Sequence, residues 1–486
     1  MSRPSLNTGF NIASSGIVYA IFFIGLLIIA YSLIMQKWPI FLGITLLPLA
    51  ALILLYAIEK PMLSYIILCT STCYFAAINR YSGLEGLSVI LDILLVFCLF
   101  SIVINVISDR QSYQWTRGIN ILTITYFIWI CYCAMSLLVP YTAVYNPVTN
   151  RGVFLSVPLI YFISSVLLCT TKKLKITIIL LGVYVITNAL KLYWQKTLGW
   201  DRAESVWLIE GAWQTHILHT GVRYFSLYSD AGNFGSSMGM LATAFGIIGT
   251  VVQNRIFRFF CLGISILSCI GMIMSGTRGA MVVPFGGILL YLLLSKSIKN
   301  IITFGALGLL TFCFFYFTDI GDNYTPIRRM RTAFRPSDDA SFNVRLENQK
   351  RFYSYLEDKP FGLGIGAKII DIEHTQLAKE EKYIPTDSIY VERWVESGII
   401  GLCLYISIQV TILLYCCYLL MFKIKNHQLR QILAALLCSV FGIWLNGYVG
   451  RGMGLQPSAL IIAIFLSFVL NGCYMDRKLK KNEIII

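Results

Sequence analysis

The run Ile301-Ile-Thr-Phe-Gly-Ala-Leu-Gly-Leu-Leu-Thr-Phe-Cys-Phe-Phe-Tyr-Phe317 breaks at Asp319 into a polar, charge-rich interval that lasts to about Pro385. Two short signatures flank that interval, Ser275-Gly-Thr-Arg-Gly-Ala280 upstream and Thr386-Asp-Ser-Ile-Tyr390 downstream. The contrast decides the fold. The apolar run has the length and character of a membrane helix. A loop so rich in Arg, Lys, Asp and Glu between such helices meets a charged ligand or carries chemistry at the membrane surface.

Hydrophobic residues form 57% of the 486, and the mean hydropathy of +0.72 is far above that of a soluble protein. The bilayer is therefore the solvent for most of the chain. About fourteen apolar runs can be counted, near 15–35, 39–58, 62–79, 87–108, 119–139, 153–169, 176–193, 233–252, 257–274, 280–295, 300–317, 397–421, 431–448 and 454–473. The pattern predicts an all-α polytopic membrane protein of about 12–14 transmembrane helices with a large helical outward loop. It divides into a transmembrane bundle over 1–318 with an outward loop near 194–232, a loop domain over 319–396, and C-terminal helices with a basic tail over 397–486. The polar start, Met1 to Ser14, precedes an apolar run too long for a cleaved signal peptide, so the first span is expected to be retained.

Lys and Arg total 39 against 24 Asp and Glu, a net charge of +15. The basic residues sit in short clusters between apolar runs, where they read as topology determinants and not as a nucleic-acid surface. With the N-terminus inside, Lys60, Arg110, Arg117, Lys172, Lys173, Lys175, Arg255, Arg258, Lys296, Lys299, Lys423, Lys425, Arg430 and the tail Arg477 to Lys481 fall on one side. The opposite short loops hold about one basic residue each, at Lys37, Arg80, Arg151, Arg278 and Arg451. Both termini are then cytoplasmic, and the two long polar segments, near 194–232 and 319–385, share the outer compartment. The 14 cysteines lie mostly in apolar stretches and read as small buried residues, without metal or disulfide spacing.

The outward segments carry Arg223, Arg278, Arg328, Arg329, Arg331, Arg335, Arg345 and Arg351. A guanidinium stays charged and offers paired planar donors, so it clamps phosphate well. For Arg328 to Arg335 the plainer reading is headgroup attraction or a solvated helix face. Arg278 sits in a Gly-flanked turn between two spans, where a charge is costly unless it lines a polar cavity. Carboxylates able to activate a hydroxyl are Asp230, Asp338, Asp339, Glu347, Asp358, Asp371, Glu373, Asp387, Glu392 and Glu396, and Asp387 stands out among them. Asp387 opens the last outward helix, and either it or Thr386 equally suits an N-cap. Glu396 at the mouth of the next span has the alternative of pairing with a buried arginine. Trp194, Trp200, Trp207 and Trp213 suit an interfacial belt or stacking on sugars. His216 and His219 have three-residue spacing but no third ligand nearby, so no metal site is expected. No DxD motif stands in an outward loop, which gives no sign of a metal-bound nucleotide sugar.

Taken in order, these pieces resemble the O-antigen ligase and polymerase superfamily of bacterial membrane glycosyltransferases. Ser275 to Ala280 resembles its "TRGA" turn. Arg345 followed by Lys359-Pro-Phe-Gly-Leu-Gly-Ile-Gly366 resembles its arginine and "P-x-x-G-x-G" element. Thr386 to Tyr390 with Val395-Glu-Ser-Gly-Ile-Ile-Gly401 resembles its "HN-x-x-L…E-x-G-x-x-G" element. The resemblance spans roughly Arg223 to Gly401. It implies a GT-C type fold working on undecaprenyl-diphosphate-linked glycan at the outer, periplasmic face of the inner membrane, by inverting transfer without metal, nucleotide sugar or other cofactor. In that picture Arg223, Arg278 and Arg345 hold the diphosphate, and Arg278 and Arg345 also serve catalysis. Asp387 is a candidate base, with Glu396, Tyr390 and Arg351 in support. Membrane lipids and other polysaccharide-assembly proteins, such as a chain-length regulator, are the expected partners. Where the ligases carry the histidine of "HN", this chain has Thr386-Asp387, which favours a polymerase over a ligase that transfers polymer to lipid A-core.

Two other classes compete. A lipid-linked oligosaccharide flippase also needs many spans and cationic cavities, but would place charges within several spans and show two related halves. An inactive partner of an assembly complex would differ in surviving the loss of Arg278 or Arg345.

Overall fold

The computed structural model describes residues 38–83, 86–108, 113–136, 150–218, 221–334, 340–366 and 388–479, with isolated positions at 28, 138 and 386. The fold is helical, and its one sheet among the described residues is a two-stranded antiparallel pair, β1 (Ile217–Leu218) with β2 (Gly221–Val222). The helices are α1 (Trp38–Ile58), α2 (Pro61–Ser82), α3 (Ser88–Ile107), α4 (Ile121–Ser136), α5 (Val157–Leu167), α6 (Thr171–Thr197), α7 (Arg202–Trp207) and α8 (Trp213–His216). They continue with α9 (Ala231–Val251), α10 (Arg255–Met274), α11 (Val282–Leu294), α12 (Ile298–Phe317), α13 (Thr325–Arg331), α14 (Ala340–Leu356), α15 (Ile389–Tyr418), α16 (His427–Asn446), α17 (Ser458–Leu470) and α18 (Gly472–Lys478).

Among the described residues, eight helices are long and apolar enough to cross a membrane, or nine if α17 and α18, bent by 48°, form one span. The chain is thus an all-α polytopic membrane protein. Three other apolar runs form helices shorter than a full span among the described residues: Ile121–Ser136, Gly152–Leu167 and Arg278–Leu294. The expected first span near 15–35 lies outside the described residues, apart from position 28.

Apolar transfer does not hold membrane helices together, so close packing must. The sequence of α9, AGNFGSSMGMLATAFGIIGTV, is rich in Gly, Ala and Ser, which lets neighbours approach. Accordingly α9 and α16 are each 83% buried over their spanning windows and form the centre of the bundle, whereas α12, at 11%, lies on its lipid-facing edge. Small hydroxyls and amides stitch this centre internally. Ser458 Oγ lies 2.9 Å from Asn233 Oδ1 and 3.0 Å from Ser237 Oγ, and Asn446 Nδ2 donates to the Gly279 carbonyl at 2.6 Å. The fourteen cysteines are all free thiols, and only Cys131 and Cys403 are exposed.

Helix order brings the end of α2, the start of α9, the α10–α11 turn, the end of α16 and the start of α17 to one end of the bundle. The basic clusters around Arg255, Lys296, Lys423 and Arg477 occupy the opposite end, where the Lys296 Nζ donates to the Met421 carbonyl.

The 194–232 segment folds against the first of these ends. Asp201 and Glu204 close a reciprocal capping box at the start of α7. Trp200 stacks on Phe225 with centroids 5.1 Å apart, and Trp207 meets the same ring edge-on at 4.7 Å. These two tryptophans are half-buried and pack on the segment's core of Leu208, Phe225 and Ala231, whereas Trp194 and Trp213 are exposed. The Arg80 guanidinium lies 4.5 Å from both the Trp207 and Phe225 rings and donates to the Tyr228 carbonyl at 2.6 Å. Loop 223–230 is fixed from below by these contacts.

Candidate functional site

At that end a cavity of about 740 Å³ opens between α9, the α10–α11 turn, α13, α14 and the loop after α16. Among the described residues five arginines line it, Arg223, Arg278, Arg329, Arg345 and Arg451, against one carboxylate, Asp230. Each comes from a different element.

Arg223 follows β2. Its guanidinium donates to the Thr215 carbonyl and to Thr277 Oγ1, both at 3.0 Å, while its Nε is buried with no hydrogen-bond partner among the described residues. Burial pulls this guanidinium below the usual arginine range, Arg278 and Arg345 add to the shift, and Asp230 opposes it. Asp230 is also the N-cap of α9, accepting from Asn233 N at 2.9 Å. The Ser275 to Ala280 turn presents Arg278 because Gly276 takes φ +60°, a left-handed conformation that favours glycine. A Cβ at Gly276 would stand 3.2 Å from Arg223 Cγ and 3.4 Å from Arg329 Cδ. Arg278 itself reaches Thr332 Oγ1 at 3.4 Å. Arg345 is carried by α14, which docks on α15 through Phe352 and Leu356 against Val391 and Val395.

His216 also borders the cavity. Its Nδ1 donates to the Ala212 carbonyl at 2.9 Å and its Nε2 accepts from Ala231 N at 3.2 Å, an arrangement that requires the neutral ring. Burial lowers its pKa from 6.5 to about 4. His219 lies outside the described residues.

A second cavity of about 670 Å³ lies beside the first. Its mouth is polar, with Asn150, Thr386, Glu392, Arg393 and Gln456, and its walls are aromatic, with Tyr126, Trp129, Tyr161, Tyr405 and Trp444. Arg451 lines both cavities. The Arg451 Nε lies 2.6 Å from Glu392 Oε2, so one ion pair stands on the partition.

The structure thus brings Arg223, Arg278 and Arg345 to one cavity and leaves other expected residues outside it. Asp387 lies outside the described residues. The N-cap of α15 is neither Thr386 nor Asp387 but Ser388, whose side chain accepts from Val391 N at 3.4 Å. Glu396 pairs with Arg393 and accepts from Gly366 N at 3.0 Å, so the arginine-pairing alternative describes it. Tyr390 points into the bundle, its hydroxyl 2.8 Å from Gln409 Oε1 and 2.9 Å from the Trp444 carbonyl. Arg351 faces Glu347 one helical turn away at 3.6 Å, on the outer side of α14. Arg331 is a buried strut between Asp322 and the Ile320 carbonyl.

Arg329 and Arg451 also line the cavity, although in the sequence Arg329 reads as headgroup-facing and Arg451 as a topology charge. The signal for Arg451 is its Gly450-Arg451-Gly452 setting, the same glycine flanking that singled out Arg278.

The O-antigen ligase family model matches residues 263–406, a stretch that contains Arg278, Arg329, Arg345, Glu392 and Glu396 but neither Arg223 nor Arg451. No curated protein matches the chain.

Proposed function

We propose that this chain, whose residues 263–406 match the O-antigen ligase family model, joins undecaprenyl-diphosphate-linked oligosaccharide repeats into a surface polysaccharide. The reaction is an inverting glycosyl transfer at the periplasmic face of the bacterial inner membrane, with both termini cytoplasmic. The observation that supports this reading is the convergence of five arginines on one cavity that, among the described residues, holds a single carboxylate. Such a cavity is costly without an anion, and a diphosphate supplies one.

In the transfer, an acceptor hydroxyl attacks the anomeric carbon and the bond to the diphosphate oxygen breaks. Negative charge then grows on the leaving diphosphate, where guanidinium donors fixed in advance act most strongly. Arg223 is fixed by Thr215 and Thr277, and Arg278 reaches Thr332. The side chains that meet this charge are therefore held in place before the substrate arrives. The preference for polymerase over ligase rests on Thr386-Asp387 standing where ligases carry His-Asn.

Purified protein given a synthetic lipid-diphosphate repeat tests the reading. Multimers that disappear with Arg278→Ala and with Arg345→Ala support it. Transfer only to lipid A-core would replace the polymerase by the ligase. Unchanged products in both variants at normal protein levels would remove the phosphate-clamp assignment.

A further inference from the structure

We propose that the second cavity binds the acceptor, a hydroxyl-rich saccharide carried on a lipid, and that Glu392 receives the proton of the attacking hydroxyl. The inference rests on the transfer reading above and assigns the half of the reaction that the arginine cavity leaves open.

Three observations support it. The cavity has the size of a saccharide site, about 670 Å³, and its aromatic walls offer faces on which sugar rings stack. Its mouth carries unspent acceptor capacity: Gln456 Oε1 is buried with no hydrogen-bond partner among the described residues, and a buried amide oxygen of this kind calls for a donor such as a sugar hydroxyl. Position is the third. Glu392 is one side chain from the arginine cavity, because Arg451 both pairs with it and lines that cavity. A hydroxyl at Glu392 is thereby directed toward a diphosphate on the other side of the partition.

The deeper wall is apolar, with Ile160, Ile412 and Leu466, and suits the acceptor's hydrocarbon chain. The bookkeeping of the step is simple. The acceptor oxygen forms its bond to the anomeric carbon, the bond from that carbon to the diphosphate oxygen breaks with its electron pair leaving on the diphosphate, and the hydroxyl proton passes to the Glu392 carboxylate.

The test uses full-length protein in lipid nanodiscs with a lipid-diphosphate repeat as donor, and offers as acceptor either a second lipid-linked repeat or lipid A-core. Binding of undecaprenyl diphosphate is measured separately. With whichever acceptor the wild type uses, Gln456→Leu is expected to raise the acceptor KM at least tenfold with kcat changed less. Glu392→Gln is expected to lower kcat at least a hundredfold. Both should keep their affinity for undecaprenyl diphosphate within about threefold, which also verifies that the variants are folded. Unchanged acceptor kinetics in both variants, or a loss of diphosphate affinity as large as that of Arg278→Ala, would overturn the assignment. If the wild type transfers to neither acceptor, the transfer reading itself has failed, an outcome separate from either of these.

Discussion

Glu396 Oε1 accepts a hydrogen bond from Gly366 N at 3.0 Å, and this contact closes a clasp between two motifs that are 30 residues apart. Leu363 N donates to the Val395 carbonyl at 2.8 Å and Gly364 N to the Glu396 carbonyl at 3.0 Å, while α15 is kinked at Gly398 with φ +68°. A Cβ at Gly398 would stand 1.9 Å from the Pro360 carbonyl oxygen. The clasp holds the end of α14 against α15, and α14 carries Arg345. Gly398→Ala is therefore expected to lose folded protein, and Glu396→Gln to lower the thermal midpoint by several degrees. Size-exclusion profiles and melting curves check both, and a fully active, normally melting Gly398→Ala would refute the clasp.

Charge alone does not suffice in the arginine cavity. Lysine at position 278 keeps the charge but loses the paired donors. Arg278→Lys should bind undecaprenyl diphosphate roughly 10- to 100-fold more weakly, in line with about 1.5–3 kcal/mol for a hydrogen bond to a charged group. Titration of the purified variant checks this, and wild-type affinity would count against paired recognition.

Gly276 tests whether the turn aims the guanidinium groups. Gly276→Ala must adopt a left-handed backbone at a cost of roughly 1–2 kcal/mol, and its methyl presses on Arg223 Cγ at 3.2 Å. Diphosphate affinity is expected to fall several-fold while expression remains measurable. An unaltered binding isotherm would show that the arginines find their places independently of the turn.

His216 sets a pH dependence. Its imidazole is held neutral in the fold, with a pKa of about 4 against 6.5 when free. The stability this contributes is fully present above pH 6.5 and is lost as pH falls toward 4, because the unfolded chain takes up the proton first. The loss amounts to at most about 3 kcal/mol. Melting curves at pH 7.5, 5.5 and 4.5 should show this decline, and His216→Gln should reduce it. A decline of equal size in the variant would assign it to other groups.

Much of this architecture was legible in the chain. Apolar runs of spanning length carry their own evidence, because the bilayer imposes both length and composition on a helix. Arg278 could be singled out since glycines bracket it between two spans. What could not be read depends on contacts far apart in sequence. Arg451 joins Arg223 across more than two hundred residues, and only its flanking glycines set it apart locally from a topology charge. Trp200 and Trp207 read as interfacial, yet Phe225 and Arg80 cover them from other elements. Thr386, Asp387 and Ser388 each suit a helix start, and only the backbone geometry selected Ser388.

Three of the helices that wall the two cavities are short among the described residues, with 16 residues in α4, 13 in α11 and 13 in α17, beside α9, α15 and α16 with 21, 30 and 20. At 1.5 Å per residue a 16-residue helix rises about 24 Å, against a hydrocarbon core of about 30 Å. Lipid beside the three short helices meets a hydrophobic mismatch that the longer helices of the same walls do not present. Bilayer thickness is then expected to act on the proposed reaction: thin acyl chains match the short helices, and thick ones raise a hydrocarbon rim around the entrance that the proposed lipid-borne substrate would use.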